Sequence, residues 1–404
     1  GTKRTTGQHP GGIIVVPADR EIFEFCPVQK PANNRDAEFI TTHFDYHKID
    51  KNLLKLDILG HDVPQMIRHL QDMTGVDPLG IDIADKKTLS IFTSIDALNI
   101  VNPDDYEFKH GTYGIPEFGT NFTRGMLDAI KPKTISALIK ISGFSHGTDV
   151  WTNNAEDLIK NGVATIDELI SCRDDIMNYL MIKGVDKSNA FKIMEAVRKN
   201  KELKQEELDI MKEHGVPDWY VESCRTLKYL FPRAHAAAYV MMALRMAWFK
   251  VYYPSAFYCA WLSTKIDNFD VNVARGGAEA AKAALSSLNS EDDDTSAAKK
   301  KELKVVYEVI YELLSRGCEF SLPELGVSDP CMFNVVDDKI KIPFMAVSGV
   351  GRSAAISLAE AYKEGPFLSI DEVQSLPVIT VWFLDILKED SATSLVLQLH
   401  QFLS

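Results

Sequence analysis

The chain has 404 residues, 46% hydrophobic and 25% charged, an ordinary globular balance with enough apolar material for two to four domains. No apolar run reaches the roughly 18 to 20 residues that cross a bilayer; the longest, 236–253, is broken by Arg245 and Lys250 and stopped by Pro254, so no membrane association is expected. The net charge of −13 argues at face value against nucleic acid, yet the acid is bunched at Glu291, Asp292, Asp293 and Asp294 while cations gather around Arg198, Lys199 and Lys201, so a DNA partner stays open.

The opening segment, 1–12, is rich in glycine and hydroxyls and carries Lys3, Arg4 and His9. Such loops can present backbone N–H groups and positive charge to phosphate, although this one is not a GxxxxGK[ST] phosphate loop. Gly11 and Gly12 make a permissive turn into Ile13, Ile14, Val15 and Val16, a β-branched run of buried-strand type. Residues 40–46 alternate, and 53–60 (LLKLDILG) read as a second core strand closed by Gly60. From about Pro64 the texture is helical, with apolar residues recurring at three- and four-residue steps in 122–130, 155–160, 187–200 and 234–252, and loops at 75–80, 102–120 and 143–154. Residues 264–300 lose that periodicity, and Gly276, Gly277 and the acidic run make them the expected linker. A long amphipathic helix is expected over about 298–315, then a small strand region at 333–342 and a compact helical tail. Cys26, Cys172, Cys224, Cys259, Cys318 and Cys331 stand singly without a CxxC, which opposes a zinc knuckle or a disulfide scaffold and fits a reducing cytosol. There is no signal-peptide pattern, and the chain starts at Gly1 inside a Gly/Thr-rich segment without Met, so it is expected to be a piece of a longer protein.

Four features could carry chemistry. Asp57 stands within an otherwise apolar strand, where an ionised carboxylate must be paired, hydrogen-bonded or on a metal. It is either a structural Asp that caps a neighbouring loop or pairs with an Arg, or a ligand for Mg²⁺ in phosphoryl transfer, a site that needs two or three carboxylates where this chain supplies one in such a strand. His43, Asp45 and His47 would share one face of an extended segment, with His61 and Asp62 nearby, but no HExxH accompanies them. In FPRAHAAAY (231–239), Pro232 presets a helix start and puts Arg233 and His235 in its first turn. Cations there oppose the macrodipole, which makes sense either with an anion at the helix end or with both side chains in solvent. In the tail, VSGVGRSAAI (347–356) fits the helix-hairpin-helix pattern hGhGxxxA, whose glycines free backbone N–H groups for a DNA phosphate.

Taken in order, these segments resemble the PolC type of bacterial DNA polymerase III alpha subunits. TTGQHPGGIIVVP (5–17) is similar to that family's palm, and LLKLDILGHD (53–62) resembles the palm strand bearing the third catalytic aspartate. GIPEFGT (114–120), SHGTDVW (145–151), CRDDIM (172–177) and the 231–239 stretch are similar to segments of its fingers. The resemblance covers about residues 1–375. It implies a mostly helical α+β chain: a partial nucleotidyltransferase-like palm over 1–85, helical fingers over 86–265, a linker and helical region over 266–330, and a duplex-binding helix-hairpin-helix region over 331–404.

The implied activity is nucleotidyl transfer from a dNTP to a primer 3′-OH with two Mg²⁺ ions held by three palm aspartates. Asp57 maps to the third, and the other two belong to a segment that precedes residue 1. Arg173, Arg198, Lys199, Arg233 and His235 are expected at the triphosphate, with His146 and Asp149 near the base or the triphosphate, Lys3, Arg4 and His9 in a palm loop facing phosphate, and Ser348, Gly349, Val350, Gly351, Arg352 and Ser353 on duplex DNA. Implied partners are primer–template DNA, dNTP, the sliding clamp and other replisome subunits in the cytoplasm, and the resemblance implies an exonuclease in the part outside this chain. After about Ser375 the sequence departs from the family, and QLHQFLS (398–404) resembles the clamp motif only loosely. Alone, the chain is expected to be inactive, because one carboxylate does not hold two ions against water. Two other readings remain at this point: a non-catalytic DNA-binding module resting on residues 349–355, and a metal-dependent phosphodiester hydrolase using His43, His47 and Asp57.

Overall fold

A computed structural model describes residues 9, 11–31, 36–58, 60–288 and 296–365. The chain divides into two compact units, Gly1–Asp62 and Val63–Ser404.

Among its described residues the first unit holds four short strands, β1 (Gly12–Val15), β2 (Val28–Gln29), β3 (Thr41–Thr42) and β4 (Leu54–Asp57). β1 pairs antiparallel with β4, setting Gly12 opposite Asp57, Ile13 opposite Leu56, Ile14 opposite Lys55 and Val15 opposite Leu54. Because side chains alternate across a strand, Ile13, Val15, Leu54 and Leu56 share one face while Ile14, Lys55 and Asp57 share the other. The first face is open, with Ile13 52%, Leu54 59% and Leu56 46% exposed, so these runs are not the buried core strands their composition suggested. The small core of this unit lies instead at Cys26, Ile49 and Leu53, with Ile14, Ile22, Phe25 and Tyr46 packed against it.

The second unit is predominantly helical. It begins with α1 (Asp62–Thr74) and α2 (Lys86–Ser90), followed by α3 (Asn121–Ile130), α4 (Ile135–His146) and α5 (Glu156–Lys160). Next come α6 (Arg173–Ile182), α7 (Lys187–Arg198), α8 (Gln205–Glu213), α9 (Asp218–Thr226), α10 (Arg233–Tyr252) and α11 (Pro254–Ser263). Thr120 and Thr134 cap α3 and α4 by accepting backbone N–H bonds, and Asp186 does the same for α7. α10 carries apolar residues around its circumference, as a helix enclosed by others must. Val240, Ala243, Leu244, Ala247 and Val251 are buried along it. Pro254 then stops α10 and opens α11, six of whose successive residues, Phe257 to Leu262, are all buried.

The acidic run Glu291, Asp292, Asp293 and Asp294 lies outside the described residues, while the described residues of 264–300 depart from the expected linker. They form α12 (Val271–Arg275) and α13 (Gly277–Ser287), a pair turned at Gly277, where φ is +79°, and α13 lies along α14 (Ala297–Ser315). The stretch hides its helicity because α13 is alanine-rich: alanine is the best helix former but adds little to a hydrophobic period. Ala281 is fully buried there. A three-stranded sheet ordered β5 (Phe320–Ser321), β7 (Lys339–Lys341), β6 (Asn334–Val336) follows, β7 parallel to β5 and antiparallel to β6, and α15 (Arg352–Lys363) ends the described chain. No helix among the described residues is long and apolar enough to cross a membrane. The whole is a mostly helical α+β protein, as the sequence suggested.

Candidate functional site

In the first unit, Asp57 ends β4 with its side chain 47% exposed, 3.3 Å from Lys55 Nζ and 4.0 Å from His9 Nε2. Lys55 is two residues back and therefore on the same face, while the apolar neighbours that made the strand look buried point the other way. The His9 ring is turned by its own backbone, accepting from the N–H of Gly11 at Nδ1 (3.2 Å). Lys3 and Arg4 lie outside the described residues. The hydrolase reading loses its premise here, because residues 40–47 are not one extended strand. β3 is only two residues long, His43 Nδ1 pairs with Gln29 Oε1 (2.7 Å), and Asp45 caps a 3-10 turn, Tyr46–Lys48, by accepting from the N–H of His47. Among the described residues no three His, Cys, Asp or Glu side chains converge to hold a metal ion. Asp57 is one carboxylate with cations beside it; by itself it does not fit a two-ion centre.

In the second unit the expected residues do assemble. α6 and α7 are joined by four residues, 183–186, so they run antiparallel and bring Arg198 to the end where α6 begins at Arg173. The segment 228–232 is tied to both sides of this end. Thr148 N donates to Tyr229 O (3.1 Å) and Lys228 N to Thr148 O (3.2 Å), and on the other side Arg173 N donates to Phe231 O (3.1 Å). Gly147 permits the first contact, since a Cβ there would stand 2.7 Å from Tyr229 O and 2.2 Å from Val150 Cγ2. Lys228 Nζ meets Asp149 Oδ2 at 2.7 Å.

The start of α10 shows how its misplaced cations are tolerated. Asp174 Oδ2 accepts the Arg233 N–H (2.7 Å), so an internal carboxylate, not an external anion, completes that helix end. The guanidinium of Arg233 reaches Asp175 only at 3.9 Å and is 41% exposed. Burial pushes the Asp175 carboxyl up, but Lys140 and hydrogen bonds from Ser171 and Cys172 outweigh this and hold it below the usual carboxylate range.

His235 stacks on Phe231 (4.8 Å between centroids) and against Tyr239 (4.6 Å), with the ring of His146 5.7 Å away at 71°. His146 Nε2 lies 2.9 Å from Glu117 Oε2 and its Nδ1 2.7 Å from Ser142 O. The Glu117 bond raises the His146 pKa against the opposing effect of burial, whereas burial and the nearby His146 lower that of His235. Arg198 and Lys199 both hold Glu195, at 2.7 Å and 2.9 Å, and together lower its carboxyl to about 2. His146, Asp149, Arg173, Arg198, Arg233 and His235 thus belong to one framed end of the helical unit, with Lys199 on the adjoining turn.

The sequence reading missed Glu117, Asp174 and Lys228, which hold His146, Arg233 and Asp149. Glu117 has a visible signal only in hindsight: it sits between Gly114 and Gly119 in a loop that forces it to φ +69°.

In the tail, Gly349 has φ +80°, Val350 and Ala355 are buried, and Ser348, Gly351, Arg352 and Ser353 are exposed at the start of α15. A single 3-10 turn, Phe344–Ala346, precedes this glycine turn, where the helix-hairpin-helix pattern expects a first helix. Residues 398–404, where a clamp motif was sought, lie outside the described residues.

Comparison with known proteins finds family matches along the chain. The bacterial DNA polymerase III alpha subunit finger domain matches residues 63–216, and the bacterial DNA polymerase III alpha NTPase domain matches residues 1–60. A DNA polymerase III PolC-type from Caldanaerobacter subterraneus subsp. tengcongensis is 48% identical over 96% of this chain and 28% of its own length. Those from Oceanobacillus iheyensis and Thermotoga maritima are 49% and 47% identical, each over 96% of this chain and over 27% and 28% of their own lengths. The chain therefore spans little more than a quarter of these relatives.

Proposed function

Because the chain belongs to the bacterial DNA polymerase III alpha family of PolC type, we propose that it serves template-directed DNA synthesis within an intact polymerase, its helical unit receiving the incoming dNTP. The observation that carries this reading is the convergence of His146, Arg173, Arg233 and His235 on the 228–235 segment within a chain 48% identical to such polymerases. Phosphoryl transfer asks little covalent chemistry of a protein and much positioning of charge. The framed end supplies that. Arg233, held at its backbone by Asp174, has a guanidinium that is 41% exposed and only loosely paired with Asp175, so it can reach outward, while the stacked His235 and Phe231 offer a flat apolar and polar surface.

Asp57 would supply one carboxylate to a divalent metal centre, with magnesium the expected ion and the other ligands coming from elsewhere in the polymerase. Duplex primer–template would lie against the Ser348–Ser353 hairpin through backbone phosphates, a contact that positions without reading sequence. The sliding clamp and other replisome subunits are the further partners proposed for the intact enzyme, acting in the cytoplasm. The test is Asp57→Asn in the intact polymerase, for which primer extension is expected to fall by at least about three orders of magnitude with primer–template binding retained. Extension at an undiminished rate would sink the assignment.

A further inference from the structure

Glu117 is the feature of the framed end that neither its backbone nor its chemistry makes ordinary. It is a non-glycine residue at φ +69°, a conformation that strains a side-chain-bearing residue and persists where the surroundings demand it. What that conformation achieves is visible in its contact. Its side chain is 11% exposed, and Oε2 lies 2.9 Å from Nε2 of His146.

The other side of that ring is fixed too. Nδ1 is 2.7 Å from the carbonyl oxygen of Ser142, one turn back in α4, and the hydroxyl of Ser145, which itself donates to the same carbonyl, turns a lone pair toward Nδ1. A carbonyl oxygen only accepts, so Nδ1 must carry hydrogen; an ionised carboxylate also only accepts, so Nε2 must carry one as well. With Glu117 ionised, both nitrogens donate at once only when His146 is protonated, a state the Glu117 bond favours, and the two contacts hold the ring from both sides.

We propose that Glu117 is a positioning residue for the incoming nucleotide: it holds the His146 ring edge-on to Phe231 and His235 and favours its charged form, so that this end of the helical unit presents one immobilised cation in addition to the partly exposed Arg233 guanidinium. The inference rests on the nucleotide-site reading given above. Its physical advantage is that the ordering cost is met in folding: a cation that cannot rotate loses no rotamer freedom when a triphosphate arrives, unlike a lysine at the surface. The charged or titratable groups facing His146 are Glu117 from the 114–120 turn and His235 from α10. His235, whose own pKa burial and His146 lower, serves as the neutral stacking partner of the pair.

The test uses two variants. Glu117→Gln keeps the side chain and removes its charge, and Glu117→Gly removes the carboxylate while suiting the left-handed backbone, so at least one of them is expected to fold normally. Ring titration of His146 by NMR in the 404-residue chain, assigned with His146→Ala, should show its pKa above the ordinary histidine value in the wild type and lower in both variants. In the intact polymerase, the same variants should raise the KM for dNTP about ten-fold while leaving kcat and primer–template affinity within about two-fold. A His146 titration unmoved by either variant overturns the proposal. So does a moved titration with unchanged KM when His146→Ala does raise KM. Unchanged KM in all three variants, including His146→Ala, means instead that the nucleotide-site reading itself has failed.

Discussion

Asp174 and Asp175 are neighbours that divide one task. Asp174 gives its carboxylate to the first N–H of α10, and Asp175 accepts from Ser171 and Cys172 at the start of α6 while facing Lys140, so together they tie two helix ends into one corner. A second such device lies at the far end of α10. Lys250 Nζ is fully buried, 2.5 Å from Glu312 Oε1 and 2.8 Å from Gly111 O, and Tyr258 donates its hydroxyl hydrogen to the same Glu312 oxygen (2.8 Å). Burial pushes the ammonium down to about 8, with the Glu312 charge opposing it. The pair anchors the loop that leads to Glu117 on the same helix that carries His235. Removing one partner strands a charge in the core. Lys250→Met is therefore expected to destabilise the protein by about 3–5 kcal/mol in chemical denaturation, with much of that recovered in Lys250→Met combined with Glu312→Leu. A double variant no more stable than the single one would deny that the pair is coupled.

Among the elements, what could be read from the sequence was what has a period. α3, α7 and α10 appear within a residue or two of where three- and four-residue spacing put them, because each is an amphipathic or fully apolar helix with its own cap or proline. α13 could not be read, since alanine carries propensity without pattern, and the strand at 53–60 was read too deep, since composition does not say that only one face of a two-stranded ribbon is covered. The site followed the same division. Arg233 and His235 stood out because they violate the macrodipole rule locally, but the carboxylate that answers them is 59 residues away and has no local signature. The glycine turn before α15 stands where the sequence places it, and its prediction belongs at this scale. Gly349→Ala forces a side chain to φ +80° and should weaken duplex binding without changing its salt slope, whereas Arg352→Ala should flatten that slope by about 0.9 for each phosphate that the hairpin ceases to neutralise. Equal binding by both variants and the wild type would remove this hairpin from the DNA track.

At the scale of the whole molecule, a chain with a net charge of −13 is proposed to work on polyanions. The sum is a poor guide to the local field: Arg173, Arg198, Lys199 and Arg233 share one end of the helical unit, where Glu195 holds Arg198 and Lys199 and Asp175 lies 3.9 Å from Arg233. The proposed function assigns the triphosphate to the framed end and the duplex to the turn before α15, two contacts that kinetics can resolve. The most direct test is therefore to replace Arg233 and His235 together by alanine in the intact polymerase and to measure the KM for dNTP and the Kd for primer–template side by side. A rise of about ten-fold or more in KM with Kd nearly unchanged is the predicted result, and a weakened Kd with an unaltered KM would place these residues on the DNA and contradict the account.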